Sequence, residues 1–167
     1  MTGEPLPTTA RMALPAEGGC RCGQLRFRVT QQPMATALCH CTGCQRMSGG
    51  AFSTTVIVPG DAFEVTSGKS ILGGLRGPEI HHHHCPDCLS WVFTRFEGMD
   101  QFVNVRATML DDASQFSPFI ETCTSEKLPW VATPAVHSFE KFPEFEAYAA
   151  LIAEYAASLG SEEERHG

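Results

Sequence analysis

The sequence predicts a mainly β domain that ends in one α-helix. Short segments in which polar and apolar residues alternate recur along the chain, and glycine or proline breakers separate them. Only one stretch, close to the C-terminus, spaces its apolar residues by three and four as an amphipathic helix does. Seven of the eight cysteines fall into three close groups, which indicates that metal ions hold the strands together in addition to an apolar core.

The strand candidates are short and are closed by turn residues. The segment from Gln24 to Val29 alternates regularly, and Phe52 to Val58 is rich in β-branched residues and ends at Pro59. We expect these strands to form a compact, mostly antiparallel β domain. The candidates are 24–29, 34–38 (a strand or a loop), 52–58, 63–67, 79–85, 91–96, 101–105 and 119–122.

The helix is predicted over 143–160, with Pro143 in its first turn and Gly160 at its C-cap. Its apolar stripe predicts docking on the domain or on a partner subunit, which leaves a homodimer open. The stripe comprises Phe145, Tyr148, Ile152, Tyr155 and Leu159. We further expect a flexible N-terminal tail over 1–17, a zinc-binding β domain over 18–142 and a charged tail over 161–167.

Charge and composition narrow the class of partner. The net charge is −7 and no run of lysine or arginine occurs, which argues against nucleic acid or an anionic membrane as the main partner. No apolar run reaches membrane-spanning length, and no secretory signal is recognisable. Eight cysteines in such a chain predict a reducing compartment, the cytoplasm, where metal binding is favoured over disulfides.

The sequence Cys39-His40-Cys41-Thr42-Gly43-Cys44 carries three thiols within six residues. In an extended backbone Cys39 and Cys41 would share one face, His40 would point away, and a tight turn would bring Cys44 to the same point. Three thiolates predict an open zinc site, since catalytic zinc keeps one position for water or substrate. Buried free cysteines or half of a disulfide framework are the alternatives.

A second set joins two distant pairs, Cys20-x-Cys22 and Cys85-x-x-Cys88. Four cysteines are the ligands of a closed structural zinc, so the chain could hold up to two Zn²⁺ ions. A disulfide within Cys20-x-Cys22 would close a very small strained ring. Iron–sulfur ligation by all seven thiols is the remaining alternative.

The order of these cysteine groups resembles the glutathione-dependent formaldehyde-activating enzyme and centromere protein V family. The resemblance is carried by Gly18-Gly19-Cys20-x-Cys22-Gly23, the 39–44 segment, Ser48-Gly49 and Cys85-x-x-Cys88-x-Ser90. Further matching patches are 109–112, Ser125 to Trp130, and Phe139-Glu140 with Pro143. Two departures stand out. Leu89 replaces a usual glycine, and Gln45 precedes Arg46 where the family often has arginine directly after the third central cysteine.

The resemblance implies an Mss4-like fold, two curved antiparallel sheets stapled by zinc. It also implies that Cys20, Cys22, Cys85 and Cys88 are structural and that Cys39, Cys41 and Cys44 hold the open zinc. The activity it implies is that of a carbon–sulfur lyase, which adds glutathione or a similar small thiol to formaldehyde or a related aldehyde, or reverses that addition. The alternatives are a non-catalytic zinc-stapled binding module and a zinc enzyme that acts on another small electrophile.

Substrate contacts are less clearly indicated. Arg46, Arg76 and Arg106 are the candidates for a bidentate grip on a substrate carboxylate, with solvated surface arginines as the alternative. Ser48, Gly49 and Gly50 could offer groups near the open zinc, or could form a plain turn. His81 to His84 form either a solvated strand or a group on the substrate side, and the lone Cys123 is predicted to be a small buried hydrophobic residue on a strand.

Overall fold

The computed structural model describes residues 8–74 and 77–160. The helices in these residues are α1 (Thr42–Ser48) and α2 (Ala147–Ser158). The strands are β1 (Ala16–Gly19), β2 (Arg26–Val29), β3 (Ala35–Cys39), β4 (Ser53–Pro59), β5 (Phe63–Ser67), β6 (Ile71–Leu72), β7 (Ile80–His84), β8 (Trp91–Phe96), β9 (Met99–Arg106), β10 (Ile120–Thr122) and β11 (His137–Ser138). The predicted mainly β fold with a C-terminal helix is confirmed.

The strands form two sheets. A three-stranded sheet has the order β1-β2-β5, and an eight-stranded sheet has the order β11-β10-β3-β4-β9-β8-β7-β6. Pairing is antiparallel, as predicted, except that β10 runs parallel to both β3 and β11. This parallel pairing places Thr122 beside Cys39, so the segment after β10 reaches the 39–44 cysteines.

The main core lies between the two sheets. Phe27 and Val29 of β2 and Phe63 of β5 pack onto the face of the large sheet that carries alternate residues of β4, β8 and β9. Full burial of each such side chain contributes about 1.5–3 kcal/mol. The larger members on the eight-stranded sheet are Val56, Val58, Val92, Phe93, Val103 and Val105.

Helix α2 docks on the domain itself. Leu151 and Tyr155 are buried against Ala35, Phe119 and Ile120, on the opposite face of the large sheet from the main core. The helix begins at Ala147, later than predicted, and Phe145 lies before it and is exposed, whereas Leu151 takes the central position assigned to Ile152. None of the helices among the described residues is long and apolar enough to cross a membrane.

Two sequence-based expectations are wrong. The predicted tail over 1–17 does not hold for the part that the structure describes, because Thr9 pairs with Leu159, Met12 is buried, and β1 begins at Ala16. The segment after Cys41 is a helix and not a turn from an extended strand. Strands β1, β6 and β11 were also not predicted, because each has two to four residues and too little alternation to detect.

Candidate functional site

The four distant cysteines come together at one end of the small sheet. Cys20 and Cys22 follow β1, while Cys85 and Cys88 follow β7, and their sulfur atoms all lie within 4.8 Å of one another. Cys22 Sγ is 3.5 Å from Cys20 Sγ and 3.7 Å from Cys85 Sγ. A tetrahedral zinc with Zn–S bonds of about 2.3 Å separates its sulfur ligands by about 3.8 Å, so this group fits the ion.

Tight turns aim these sulfurs. Gly23 has a φ of 80° and donates its N–H to Cys20 O, and Leu89 has a φ of 58° and donates its N–H to Cys85 O. The sulfurs also accept hydrogen bonds, from Leu25 N–H to Cys20 Sγ at 3.3 Å and from the Ser90 hydroxyl to Cys88 Sγ at 3.2 Å. The Ser90 contact lowers the pKa of Cys88 to about 5. These bonds favour thiolates, the form that binds metal.

The three central sulfurs also lie within 4.8 Å of one another, in a three-membered group that we call the trio. Cys39 ends β3, Cys41 is the N-cap of α1, and Cys44 lies in the first helical turn. Cys44 N–H donates to Cys41 Sγ at 3.3 Å, so the thiol does the capping that serine or aspartate usually provides. Both sulfur groups can therefore bind a metal ion, and the trio leaves a tetrahedral ion one open position.

The three thiols of the trio differ in pKa. A hydrogen bond from the Cys44 thiol lowers the pKa of Cys39 to about 5, and the same contact raises the pKa of Cys44. Burial is the main cause that raises the pKa of Cys41. One thiolate is thus present near neutral pH, and a cation placed among the three sulfurs would favour the loss of the other two protons.

Behind the trio lies a buried ionic cluster. His40 points away from the sulfurs, as the sequence predicted, and its Nε2 donates to Glu121 Oε2 at 2.9 Å. Burial acts to raise the pKa of Glu121, but hydrogen bonds from Ser138, Thr133, Lys127 and His40 outweigh it and hold that pKa at about 2. A glutamate inside the apolar segment 119–122 was the sequence signal for this pairing, because buried carboxylates require partners.

A second set of contacts fixes the start of α1. Glu126 accepts hydrogen bonds from both the N–H and the hydroxyl of Thr42, with 2.7 Å from Thr42 N to Oε2. The Gln45 side chain donates to His40 O at 2.7 Å and to Glu126 O at 3.0 Å. The loop after β10 therefore binds the trio's helix from outside, and Gln45, the departure from the family pattern, is part of that attachment.

Cys123 is buried, as predicted, but the prediction that it lies on a strand is wrong, and it is not isolated. Its backbone is left-handed with a φ of 56°, just after the end of β10, and its Sγ lies 3.9 Å from Cys39 Sγ. Burial and the neighbouring Cys39 raise its pKa to about 12. The thiol is therefore protonated at neutral pH, and it stays outside the trio because it is not within 4.8 Å of all three sulfurs.

A family model described as glutathione-dependent formaldehyde-activating enzyme matches residues 15–126, which contain all seven grouped cysteines. A Halomonas elongata protein is 30% identical over 160 residues, an alignment that covers 88% of this chain and 98% of that protein. The chain belongs to the glutathione-dependent formaldehyde-activating enzyme family.

Three known proteins are similar to this chain to different extents. The Halomonas protein is provisionally named a glutathione-dependent formaldehyde-activating enzyme. A Penicillium rubens protein with the same provisional name is 34% identical over 95 residues, or 52% of this chain and 49% of that protein. A crystal structure of a Rhodobacter sphaeroides protein aligns with a TM-score of 0.48 and 17% identity over 57% of this chain and 88% of that chain.

In this family member, the predicted substrate-contact residues 46–49 lie at the C-terminal end of α1 and just after it. Arg46 and Ser48 are exposed near the C-terminal end of α1, and the Ser48 hydroxyl donates to Phe52 O at 3.1 Å. Gly49 is the left-handed C-cap, and its N–H and that of Gly50 both donate to Gln45 O. This geometry favours the turn interpretation for residues 48–50, while a substrate role for Arg46 stays a prediction. Arg76 lies outside the described residues.

Arg106 is not a solvated surface arginine, and the histidines of β7 are only partly exposed to solvent. Arg106 is only 6% exposed, and its guanidinium lies 4.2 Å from the centroid of the Trp91 ring. His82 hydrogen-bonds the Thr94 hydroxyl at 2.9 Å and meets Trp91 edge-on, and His83 stacks on Phe93. Burial lowers the pKa of both His82 and His83 to about 4, so these two rings are neutral at physiological pH.

Proposed function

We propose that this protein is a zinc-dependent carbon–sulfur lyase-type enzyme that adds a small thiol such as glutathione to formaldehyde or a related aldehyde, and reverses that addition. The observation that carries the proposal is the trio, three sulfurs within 4.8 Å of one another at the end of β3 and the start of α1. Membership in the family supports the same reaction class.

The two sulfur groups would have different roles. Cys20, Cys22, Cys85 and Cys88 would hold a structural zinc that ties the start of the chain to the turn after β7. Cys39, Cys41 and Cys44 would hold the second zinc, which supplies a Lewis acid with one open position where an exogenous thiol is favoured as its thiolate. The capping of α1 by Cys41 keeps that sulfur and Cys44 at a fixed separation.

The chemistry balances without a redox partner. The thiol sulfur forms a bond to the aldehyde carbon, the carbonyl π bond breaks, and the thiol proton ends on the new hydroxyl oxygen. Cleavage of the adduct is the same step in reverse, so addition and lyase activity describe one equilibrium. We also propose a cytoplasmic location, supported by eight free cysteines, because small thiols and reduced protein thiols occur together there.

Exchange NMR tests the proposal. Zinc-loaded protein should accelerate interconversion between glutathione with ¹³C-formaldehyde and the S-hydroxymethyl adduct, in proportion to protein concentration. Cys41→Ala should abolish the acceleration, whereas Cys123→Ala, a matched change at a buried thiol outside the trio, should retain it. Zinc-loaded protein that leaves the exchange rate at its uncatalysed value with glutathione and with other small thiols would support the non-catalytic binding module instead.

A further inference from the structure

We infer that the buried guanidinium of Arg106 is the charge partner of the trio: it offsets the negative charge that the three thiolates carry once they hold zinc. The inference rests on the proposed function, from which it takes the zinc in the trio. It adds Arg106 as a positioning residue, which the spacing of the cysteines does not reveal. Arg106 would bind no substrate group directly, but would act through the trio.

Arg106 lacks the partner that a buried cation requires. Among the described residues it forms no salt bridge with a carboxylate, its Nε is buried without a hydrogen-bond partner, and its only side-chain hydrogen bond is a long one of 3.5 Å to Asn104 O. Stacking on Trp91 satisfies one face of the guanidinium but not its charge. A buried charge without an opposite charge is strongly unfavourable, so an anion must lie nearby.

The register of the large sheet supplies that anion. Arg106 of β9 pairs with Thr55 of β4, which pairs with Ala37 of β3, and Cys39 lies two residues along from Ala37. Residues two apart on a strand share a face, so Arg106 and Cys39 project from the same side of the sheet. Burial lowers the pKa of Arg106 to about 10, and the charges of Cys44 and Cys39 act against that effect. The arginine stays a cation at neutral pH.

The net charge of a zinc-bound trio explains why a cation at the position of Arg106 is favourable. Three thiolates around a divalent ion leave one net negative charge, and an exogenous thiolate as fourth ligand would leave two. Such a charge in a partly buried site is unfavourable unless a cation lies close by. His82, which lies on the same side as Arg106 and also contacts Trp91, is neutral and cannot serve. Arg106 therefore favours the metal-bound thiolates and an anionic fourth ligand.

A substrate carboxylate is the other anion that Arg106 could meet. The low exposure of Arg106 and the thiols on its side of the sheet favour the trio over a group that must enter from solvent. The two roles predict different results. A charge partner affects the affinity of the trio for zinc in the absence of any substrate, whereas a substrate anchor leaves that affinity unchanged.

The test is competition for zinc between fully loaded protein and a chromophoric chelator, with the four-cysteine group as an internal reference. Arg106→Met should weaken zinc binding by the trio at least about ten-fold, which corresponds to about 1.4 kcal/mol, and leave the four-cysteine group unchanged. Arg106→Lys, which keeps the charge, should stay close to wild type. Arg95→Met is the control: it removes an arginine on β8 that stacks on Phe63, and it should leave the zinc affinity of the trio unchanged.

Three outcomes would overturn the inference: equal zinc affinity in Arg106→Met and wild type, an equal loss in Arg106→Lys and Arg106→Met, or unchanged zinc affinity with weaker binding of carboxylate-bearing thiols alone. If Arg106→Met does not fold, Arg106→Gln provides the uncharged variant. Failure of the proposed function would look different, because zinc would bind normally to wild type and the exchange rate of the glutathione adduct would not rise.

Discussion

Leu89 is the residue at which local backbone conformation and metal binding conflict. Its φ is 58°, within the turn from Cys85 to Ser90. Its side chain is 65% exposed, so it buries little apolar surface. A left-handed backbone costs a residue with a Cβ about 1–2 kcal/mol. The turn that closes the four-cysteine group therefore holds Leu89 in a conformation that favours glycine.

Replacement of Leu89 with glycine should therefore stabilise the protein. We expect the free energy of unfolding of Leu89→Gly to rise by about 1 kcal/mol, the relief of strain less the greater freedom of glycine in the unfolded chain. Denaturant unfolding at fixed zinc concentration measures it. Leu89→Ala is the control, since it keeps the Cβ and should gain nothing; an equal gain in both variants would show that the exposed side chain, and not the backbone, was responsible.

Cys123 provides a second prediction for a single residue. Its sulfur lies 3.9 Å from Cys39 Sγ, yet its raised pKa and its position outside the trio indicate a neutral neighbour, not a ligand. Cys123→Ala should retain full zinc content and unchanged affinity at the trio. Elemental analysis with chelator competition measures both, and a loss of about one zinc per chain would identify Cys123 as a fourth ligand and the trio as a closed site.

Residue-scale features were predictable from sequence only where they were local. The grouping of cysteines and the orientation of His40 follow from spacing over a few residues. The burial of Arg106 and the nearness of Cys123 to Cys39 depend on strand register between segments more than fifty residues apart. No local pattern carries that information, so Arg106 could not be distinguished from surface arginines.

Among the elements, α1 was missed for a physical reason. It has seven residues, contributes no fully buried side chain, and is capped by a cysteine sulfur. An apolar stripe and a standard N-cap, the signals that reveal helices in sequences, are therefore absent from it. Strands such as β2, β4 and β5 were predictable from alternating or β-branched residues that end at turn residues. The parallel pairing of β10 with β3 depends on the tertiary fold.

The junction of β3, β10 and β11 predicts a specific acid response. Glu121 has a pKa of about 2 in the folded protein against 4.5 as its ordinary value, because hydrogen bonds from four side chains outweigh its burial. A folded-state pKa below the unfolded value stabilises the fold above about pH 4.5, and that contribution is lost as pH falls towards about 2. The shift corresponds to about 3 kcal/mol at neutral pH.

We therefore expect Glu121→Gln to be about 3 kcal/mol less stable than wild type at pH 7, with a difference that shrinks between about pH 4.5 and 2. Both proteins carry the same cysteines, so subtracting their unfolding free energies at each pH cancels acid release of metal. Glu144→Gln, at an exposed glutamate before α2, should match wild type throughout. A difference between Glu121→Gln and wild type that does not depend on pH would contradict the ionised cluster.

At the scale of the whole molecule, the two sulfur groups occupy different places in the chain's connectivity. The four-cysteine group joins segments more than sixty residues apart, at the ends of β1 and β7, and thereby connects the small sheet to the large one. The trio lies within six residues of sequence, on elements that Glu121 and Glu126 also hold. Loss of the first group removes a long-range link, but loss of the second removes only a local one.

Zinc content and secondary structure of Cys22→Ser and Cys41→Ser, measured side by side, test this division most directly. Because binding to a closed site contributes to folding, Cys22→Ser should unfold or become insoluble. Cys41→Ser should stay soluble with near-native circular dichroism. It should retain about one of the two zinc ions per chain and lose thiol-dependent turnover. If Cys41→Ser instead unfolds as completely as Cys22→Ser, or keeps its full zinc content and turnover, the division into a structural and an open site is contradicted.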